Sequence, residues 1–437
     1  MSSYADKASK YYLSTGTRPP RRLIWAVALV KAAASRANAE LGLIDPAKAK
    51  AIESAAVRVA GGEFDHLITV DVFQTGSGTG VNMNVNEVIA GLASQACGCP
   101  VHPNDDVNMA QSSNDVMPTA LRLAALSGFV GSLAPALNDL IAALRVRAYE
   151  FRDQVRPGRT HLRDALPITL GLQLEAYAYM LERDLVAVGQ VLEPLREVPL
   201  GGTAVGTGTN AHPRFAEVAI RELSSLSGVM LRPSPSKSAQ MRSLSDIVIL
   251  SGALRALVLD IMRISNDLRL MSSGPNTGLN EVEIPVEVAG SSMMPGKKNP
   301  VTLEAINQAA VQVLGIDKAI EWAASLGELE LSMGIPLTAY DVLLEIDLLT
   351  EMARKLKTVI DIMRPNGERM AALAASSQAL LTLVSPLIGY DAATKIAESL
   401  SRGASLDEAV RAAVSDEELA RKVIDALTRV KGLVKDQ

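Results

Sequence analysis

A sustained apolar seam between residues 246 and 271 is the feature that most restricts the fold of this chain. Its members alternate at steps of three and four, the heptad spacing of a packed helix. A second apolar set lies beside the seam, so we expect other helices to surround this one, as in the middle of a bundle. The seam residues are Ile247, Leu250, Leu254, Leu257, Ile261, Ile264, Leu268 and Met271, and the second set is Val248, Ile249, Ala253, Ala256, Leu259 and Met262.

Most of the remaining sequence also has helical periodicity, which predicts an all-α fold with a central long-helix bundle. Strand signals are short and are confined to Leu67–Phe73 and Glu281–Pro285. So many long apolar helices in one chain also predict association of subunits. The other long predicted helices are Arg22–Leu41, Pro118–Arg147, Ile168–Leu195, Pro213–Leu226, Val301–Ser325 and Pro336–Met363.

Composition shifts along the chain predict three regions. The first is 1–109, which holds the first polar glycine-rich loop, and the second is 110–365, which holds the long helices. The third, 366–437, has shorter amphipathic helices. The longest uncharged stretch, Ala371–Tyr390, contains several polar residues and Pro386. It therefore predicts a buried helix followed by a turn and not a membrane span.

The charge balance argues against nucleic acid and membrane as partners. The chain has 43 Lys and Arg residues against 48 Asp and Glu residues, a net charge of −5, so an anionic ligand needs a local positive potential. Aromatic residues make up only 3% of the chain, which leaves few platforms for stacking bases. Cys97 and Cys99 are the only cysteines. With no apolar segment of secretory type in the first twenty residues, they predict inert thiols and a cytoplasmic location.

Two of four polar segments between the helices precede residue 120. Residues 74–84 contain three glycines in a G-x-G-x-G spacing just before a helix, which suits a carboxylate or phosphate site but not a dinucleotide fingerprint. A simple helix-capping loop is the alternative. Residues 102–106 and 111–115 precede Pro118, and their Ser, Asn and Asp residues either only cap a helix or also face a ligand.

The third and fourth polar segments bring cationic groups into an acidic protein. His161 lies between Arg159 and Arg163, although a lone histidine is more often structural. Residues 290–300 have glycines near both ends, which predicts a mobile loop with hinges. Pro300 then opens a helix, whose N-terminal dipole and Lys297 would together attract an anion. We find no sequence pattern of a metal site.

The fourth segment carries a recognisable signature, because Gly290–Pro300 matches G-S-S-x-M-P-x-K-x-N-P. On this motif the chain resembles the fumarase/aspartase superfamily, and the other three segments and Gly201–Pro213 match it in the same order. The resemblance covers roughly residues 20–435. Within the superfamily it is similar to the class II fumarases in Gln74–Thr79, in His161, where aspartases usually have Gln, and in Gly296, where they usually have Ala.

The resemblance implies an activity, an assembly and a substrate. The activity is the reversible hydration of the small dicarboxylate fumarate to (S)-malate, without a metal or organic cofactor. The subunit is implied to be all-α and to have three domains. It is implied to form a homotetramer around a multi-helix core, with each active site shared among three subunits.

The resemblance also assigns roles to residues. It makes Ser291 the base that removes the C3 proton of malate, and its alkoxide needs nearby backbone N–H groups and the ammonium of Lys297. His161, oriented by Glu304, would handle the departing hydroxyl group. The predicted substrate-binding residues are Ser77, Gly78, Thr79, Asn82, Ser112, Ser113, Asn114, Thr160, Ser292, Lys297 and Asn299.

A second dicarboxylate site is implied at His102, Asn104 and Asp105. Some superfamily members have an Arg three positions before this histidine, where this chain has Cys99. The chain departs from the family pattern at four further positions, which are Met109, Arg163, Asn276 and Asn280.

Three other functions stay open from the sequence. Aspartate ammonia-lyase differs in releasing ammonia, and argininosuccinate or adenylosuccinate lyase shares mainly the fourth segment. A catalytically silent homologue with a structural or binding role should have lost Ser291, Lys297 or His161, and all three are present.

Overall fold

The computed structural model describes residues 4–428, and within them the fold is predominantly α-helical. The prediction of a helical fold class is confirmed. The helices are α1 (Tyr4–Ala8), α2 (Arg21–Glu40), α3 (Pro46–Ala60), α4 (Thr79–Cys97), α5 (Ser113–Gly128), α6 (Ala134–Glu150), α7 (Leu170–Val191), α8 (Phe215–Ser227), α9 (Lys237–Arg242), α10 (Ser245–Met271), α11 (Val301–Ala324), α12 (Ile335–Ile362), α13 (Gly367–Ala375), α14 (Leu381–Ile388), α15 (Tyr390–Ser401), α16 (Leu406–Ala413) and α17 (Glu417–Thr428).

Sheet structure in the described residues is limited to four two-stranded pairs. The strands are β1 (Val155–Thr160), β2 (Arg163–Thr169), β3 (Glu197–Val198), β4 (Arg232–Pro233), β5 (Val282–Glu283), β6 (Gly327–Glu328), β7 (Leu331–Ser332) and β8 (Arg364–Pro365). The pairs are β1 with β2, β5 with β8 and β6 with β7, all antiparallel, and β3 with β4 in parallel. Among the strands of residues 4–428, only those of the β1–β2 hairpin are longer than two residues.

The heptad seam lies in α10, and all eight of its residues are buried. The second apolar set is not covered in the same way. The side chain of Ile249 is 57% exposed and that of Leu259 is 50% exposed. The seam therefore correctly predicted which face of α10 is buried in the core. The neighbouring face of α10 is partly exposed and could pack against another surface.

The predicted helix Pro118–Arg147 is present but begins earlier and is interrupted. Ser112 caps α5, and its side chain and that of Asp115 form a reciprocal capping box, so the helix begins at Ser113. A π-helical turn at Phe129–Leu133 then separates α5 from α6.

Two strand predictions were wrong in extent or kind. Residues Leu67–Phe73 do not form a strand: Leu67 ends a 3₁₀ turn, and further along the segment, backbone hydrogen bonds of Val72 and Phe73 to residues 13–17 are interrupted where the Asp71 carboxylate accepts from Thr15 and Gly16. The candidate Glu281–Pro285 contains only β5. Conversely, the predicted helix from Ile168 begins at Leu170, because β2 occupies the preceding residues.

The described residues divide into two compact units. The first comprises the described part of Met1–Leu137 together with Arg183–Ile261 and Gln308–Ala353. The second comprises Asn138–Glu182, Met262–Asn307 and the described part of Arg354–Gln437. In the second unit, α13–α17 bury an apolar cluster. The three-region division drawn from composition stays a prediction.

The stretch Ala371–Tyr390 is helical but broken, with a short 3₁₀ turn between α13 and α14. This pair passes a length and hydropathy test for a membrane span only when its 58° bend is ignored. In the part of the chain that the structure describes, the helical stretch Ser113–Glu150 passes the same test directly, but 67% of its most apolar window is buried in the protein. That burial is what a core helix shows.

The prediction of two inert thiols was wrong, because Cys97 and Cys99 form a disulfide. Gly98 ends α4 in a left-handed conformation with φ of 63°, which turns the chain back on itself. The two Cα atoms are consequently 5.2 Å apart, within the usual range for a disulfide.

Candidate active site

In the first unit, the start of α4 presents a pair of hydroxyl groups. Gly78 precedes the helix with φ of 77°, and a Cβ atom there would lie 2.9 Å from the side chain of Met117. Glycine is therefore needed both for the turn and for the close packing. On either side of it, Ser77 Oγ and Thr79 Oγ1 lie 2.8 Å apart. Because one of the two hydroxyls donates to the other, the pair has one proton left to donate to an acceptor near the N-terminus of the helix.

One turn further along α4, the buried side chain of Asn82 joins this helix to the start of α5. Its Nδ2 donates to Ser113 Oγ at 3.3 Å and to Asn108 Oδ1 at 3.2 Å. Because Ser113 Oγ accepts this bond, its own proton is free to be donated elsewhere. Asn82 and Ser113, both predicted to bind substrate, are thus brought together.

The N-terminus of α5 is held by a buried carboxylate. Asp115 accepts from the backbone N–H of Ser112 at 2.9 Å, of Gly201 at 3.0 Å and of Thr203 at 2.8 Å. Burial raises the pKa of Asp115 to about 6, and these three N–H groups oppose the rise. Asn114 donates to the carbonyl of Ala204 at 2.8 Å.

A cavity of about 500 Å³ opens beside these groups in the first unit. Its lining includes Ser112 from the start of α5 and Thr203, Thr207 and Asn210 from the following polar segment. The Thr203 hydroxyl is buried and has no hydrogen-bond partner among the described residues. The cavity is therefore lined by small neutral hydrogen-bonding groups, which suits a small polar ligand.

Lys31 of α2 is fully buried beside the polar cluster formed by Asn82, Asn108 and Ser113. Its Nζ donates to Asn108 Oδ1 at 2.8 Å and to Gln111 Oε1 at 3.0 Å. Burial lowers the pKa of Lys31 to about 7, and the charge of Asp115 acts in the opposite direction.

In the second unit, His161 lies at the tip of the β1–β2 hairpin. The two residues of the turn, His161 and Leu162, have φ of 55° and 57°, the left-handed conformation that two-residue hairpin turns need. Thr160 pairs with Arg163 across the turn. All four side chains are exposed, so the imidazole is presented on the surface of the unit.

The base of this hairpin is fixed by a buried carboxylate. Glu281 has no exposed surface and accepts from Arg159 Nη1 at 2.9 Å and from Arg156 Nε at 3.3 Å. Arg159 is two residues before His161, so this double ion pair restricts where the hairpin can point.

In the segment 290–300, two hydrogen bonds hold the first and last residues of a loop close together. The N–H of Gly290 donates to the carbonyl of Lys297 at 2.8 Å, and Asn299 Nδ2 donates to the carbonyl of Gly290 at 2.6 Å. A Cβ atom at Gly290 would lie 2.7 Å from the backbone nitrogen of Asn299, which explains the glycine. The loop itself is open to solvent, with Ser292 and Lys297 exposed and Met293 83% exposed.

The hydroxyl of Ser291 receives two backbone donors inside this loop. The N–H groups of Met293 and Met294 point at Ser291 Oγ from 3.1 and 2.9 Å. Two such donors stabilise negative charge on an oxygen, as in an oxyanion hole. The loop therefore places two donors where they would stabilise negative charge on this oxygen.

Glu304 lies in the first turn of α11, just beyond this loop. Within residues 4–428 of the single chain, no hydrogen bond or ion pair joins Glu304 to His161, or His161 to Ser291. Four catalytic residues are predicted, the fourth being Lys297, and within the described part of the second unit no hydrogen bond or ion pair thus joins the other three to one another.

The residues of the implied second dicarboxylate site surround a short π-helical turn. His102 Nδ1 accepts from the backbone N–H of Asn104 at 3.3 Å and of Asp105 at 3.1 Å. The same nitrogen lies 3.2 Å from Asp105 Oδ2. His102 thus caps the turn in this structure, and binding of a ligand there stays a prediction. No group of three or more His, Cys, Asp or Glu residues in the described chain has the arrangement of a metal site.

Sequence reasoning missed several residues that hold these groups in place. Lys31, Asn108 and Glu281 each join segments far apart in the chain. The one available signal for Lys31 was a single lysine inside the apolar run of α2, and Glu281 gave no signal beyond its place after residues 278–280.

Comparisons with known proteins give a consistent result. A family model described as a lyase matches residues 2–315. The class II fumarate hydratase of Saccharolobus solfataricus is 48% identical over 432 residues, which cover 98% of both chains. The class II fumarate hydratase 1 of Pseudomonas aeruginosa is 43% identical over 390 residues, 88% of this chain and 84% of that protein.

Solved structures agree with these sequence relatives. The recombinant class II fumarase of Schistosoma mansoni superposes with a TM-score of 0.93 at 31% identity, covering 98% of this chain and 94% of the other. A fumarate lyase/delta-crystallin of Brucella melitensis, bound to cobalt, superposes with a TM-score of 0.90 at 39% identity, covering 98% and 95%.

Proposed function

The chain belongs to the lyase family of the class II fumarate hydratases, it acts as a fumarate hydratase, and we propose that Ser291 is its base. The single observation that carries this role is the pair of backbone N–H groups that point at Ser291 Oγ. They would hold the alkoxide that takes the C3 proton of malate.

The remaining steps in the dehydration of malate follow from the movement of the electron pair of the C3–H bond. When Ser291 Oγ takes the C3 proton, the electron pair delocalises onto the neighbouring carboxylate and then forms the C2–C3 double bond. The C2–O bond breaks, and an imidazolium at His161 gives its proton to the departing hydroxyl, which leaves as water. Hydration of fumarate is the reverse. Lys297 and Asn299 would hold a substrate carboxylate beside Ser291.

The first unit would bind the substrate through neutral donors. The hydroxyls of Ser77, Thr79, Ser112 and Ser113 and the amide of Asn114 surround the start of α4 and α5. Helix N-termini of this kind favour a carboxylate.

The direct test of the activity is the ultraviolet absorbance of fumarate. We expect purified wild-type protein to consume fumarate with loss of the conjugated-alkene absorbance and to form (S)-malate. Added ammonium should yield no aspartate, which distinguishes the activity from that of an aspartate ammonia-lyase. A protein that is folded and clean but leaves fumarate unchanged would refute the proposal and favour a silent homologue.

We also propose a homotetramer whose active sites are shared between subunits. Two features support it: among residues 4–428 of one chain, no hydrogen bond or ion pair joins Ser291, His161 and Glu304, and large apolar side chains are exposed on the long helices of the first unit. These include Ile249 and Leu259 on α10 and Val311 and Trp322 on α11. A cytoplasmic location for the enzyme stays a prediction, to be checked by cell fractionation.

The assembly is tested by mass and by mixing. Light scattering should give about four times the chain mass of 46.3 kDa. Inactive Ser291→Ala and His161→Gln proteins, mixed one to one and allowed to exchange subunits, should recover roughly a quarter of native activity if each site takes the two groups from different subunits. A monomer, or no recovery after proven exchange, would contradict the shared site.

A further inference from the structure

The first unit presents an electrostatic imbalance around its polar cluster. The substrate-binding residues predicted in that unit are all neutral Ser, Gly, Thr or Asn residues, yet the substrate has two negative charges. Behind them lies the ammonium of Lys31, with no exposed surface. A buried ammonium is costly unless its charge is matched by an anion.

No such anion is paired with Lys31 among residues 4–428. The Lys31 ammonium donates only to the neutral amide oxygens of Asn108 and Gln111. The nearest acidic influence is Asp115, whose carboxylate oxygens already accept from three backbone N–H groups. The charge of Lys31 is therefore balanced only through space by Asp115, and an anion that binds at the cluster would also be attracted to it.

Lys31 also helps to fix the orientation of Asn108. Asn108 Oδ1 receives the Lys31 ammonium, Asn82 Nδ2 at 3.2 Å and Asn86 Nδ2 at 3.1 Å. On the other side, Asn108 Nδ2 donates to the carbonyl of Gln111 at 3.1 Å. Because its oxygen faces three donors and its nitrogen faces an acceptor, this amide cannot rotate by half a turn without losing all of them.

The orientation of Asn108 also affects the hydroxyl of Ser113, a residue that is predicted to contact the substrate. Asn108 and Ser113 both accept from Asn82 Nδ2, which leaves the single proton of the Ser113 hydroxyl free to be donated to a ligand. Loss of the Lys31 ammonium would remove one of the four hydrogen bonds that hold Asn108, and would so loosen the connection from Asn108 through Asn82 to this hydroxyl.

We propose that Lys31 is a positioning residue that orients Ser113 through Asn108 and Asn82 and supplies the buried positive charge for one carboxylate of the substrate. This inference rests on the proposed function, because it takes a dicarboxylate as the ligand. It adds a residue that no sequence motif of the active site contains.

The test separates binding from turnover. In Lys31→Met we expect KM for fumarate and the Kd of succinate, measured by calorimetry, to rise at least about tenfold, while kcat changes less than about threefold. Succinate binding does not depend on turnover, so it tests Lys31 even if the protein were not to hydrate fumarate. Lys48→Met is the matched control, because Lys48 on α3 is paired with Asp106 and should leave both constants within about twofold.

A second variant covers the case in which Lys31→Met does not fold. Asn108→Asp keeps a side chain of the same shape and places a carboxylate against the ammonium, which cancels its charge. We expect the Kd of succinate to rise about tenfold again. Normal succinate binding in a folded Lys31→Met protein, or in Asn108→Asp with only a lower melting temperature, would show a merely structural role and overturn the proposal.

Discussion

Replacing Ser291 with alanine is expected to lower kcat for fumarate hydration about 10³-fold and to leave KM within about threefold. The hydroxyl that accepts from the N–H groups of Met293 and Met294 would be gone, and with it the proposed acceptor of the C3 proton. The substrate carboxylates keep their own donors, so binding should persist. Steady-state kinetics on both fumarate and malate measure the effect.

Hydrogen exchange at C3 of malate distinguishes the base from the acid. In deuterated water, wild type should exchange the C3 proton that Ser291 removes, and Ser291→Ala should not. His161→Gln should retain exchange while losing net dehydration, because it removes only the group that protonates the hydroxyl. Exchange that survives in Ser291→Ala would assign the base to another residue.

The control for both experiments lies in the same loop. Lys298 is exposed and donates to the carbonyl of Glu287 at 3.1 Å. Lys298→Ala removes a neighbouring charge without touching the Ser291 turn, and we expect its kcat to stay within about threefold of wild type. A loss comparable to that of Ser291→Ala would mean that the whole loop, and not the hydroxyl, is being perturbed.

The parts of the fold that were predictable are those specified by local pattern. The seam of α10 repeats over the whole helix, so its burial could be read from spacing alone. The β1–β2 hairpin was not predicted, because Pro157, Gly158 and Pro167 argue against a strand, and the bulge between Pro157 and Gly158 accommodates them.

The candidate site divides in the same way. Motif residues such as Ser291 and His161 stand out because their segments are polar and rich in glycine within a helical chain. Lys31 and Glu281 act through partners 77 and 122 residues away, at Asn108 and Arg159. Such pairs depend on how the helices pack, and a single sequence has no local signal for that packing.

The second large effect concerns stability and comes from a buried acid in the first unit. Glu345 on α12 has no exposed surface, and its Oε1 lies 3.0 Å from Ser251 Oγ. The same hydroxyl lies 3.0 Å from Asp317 Oδ1, and Asp317 is paired with Arg255 at 2.6 Å. A hydroxyl has one proton, so if Ser251 donates to the ionised Asp317, Glu345 must be protonated and donate to Ser251.

Burial is the main cause that raises the pKa of Glu345, from 4.5 to about 9, and the charges of Asp317 and Asp341 add to it. The charge of Arg255 acts in the opposite direction, as does the Ser251 hydrogen bond in the arrangement where Ser251 donates to Glu345. Since the folded state binds this proton more tightly than the unfolded chain, its contribution is fully present below pH 4.5 and is lost as the pH rises through about 9. Each pH unit inside that window costs up to about 1.4 kcal/mol of unfolding free energy.

Glu345→Gln should abolish most of this dependence. The glutamine amide keeps an N–H donor for Ser251 and does not titrate, so the melting temperature of the variant should exceed that of wild type by a margin that widens steadily from pH 5 to pH 9. Burial also raises the pKa of Asp341, to about 7. Asp341 titrates in both proteins, so its contribution to the pH dependence of the melting temperature cancels when the two are compared. Glu330→Gln, which alters an exposed ion pair with Arg242, should run parallel to wild type. If the Glu345→Gln curve also ran parallel, Glu345 would be ionised in the native protein, and the hydrogen-bond order of Ser251 would have to be reversed.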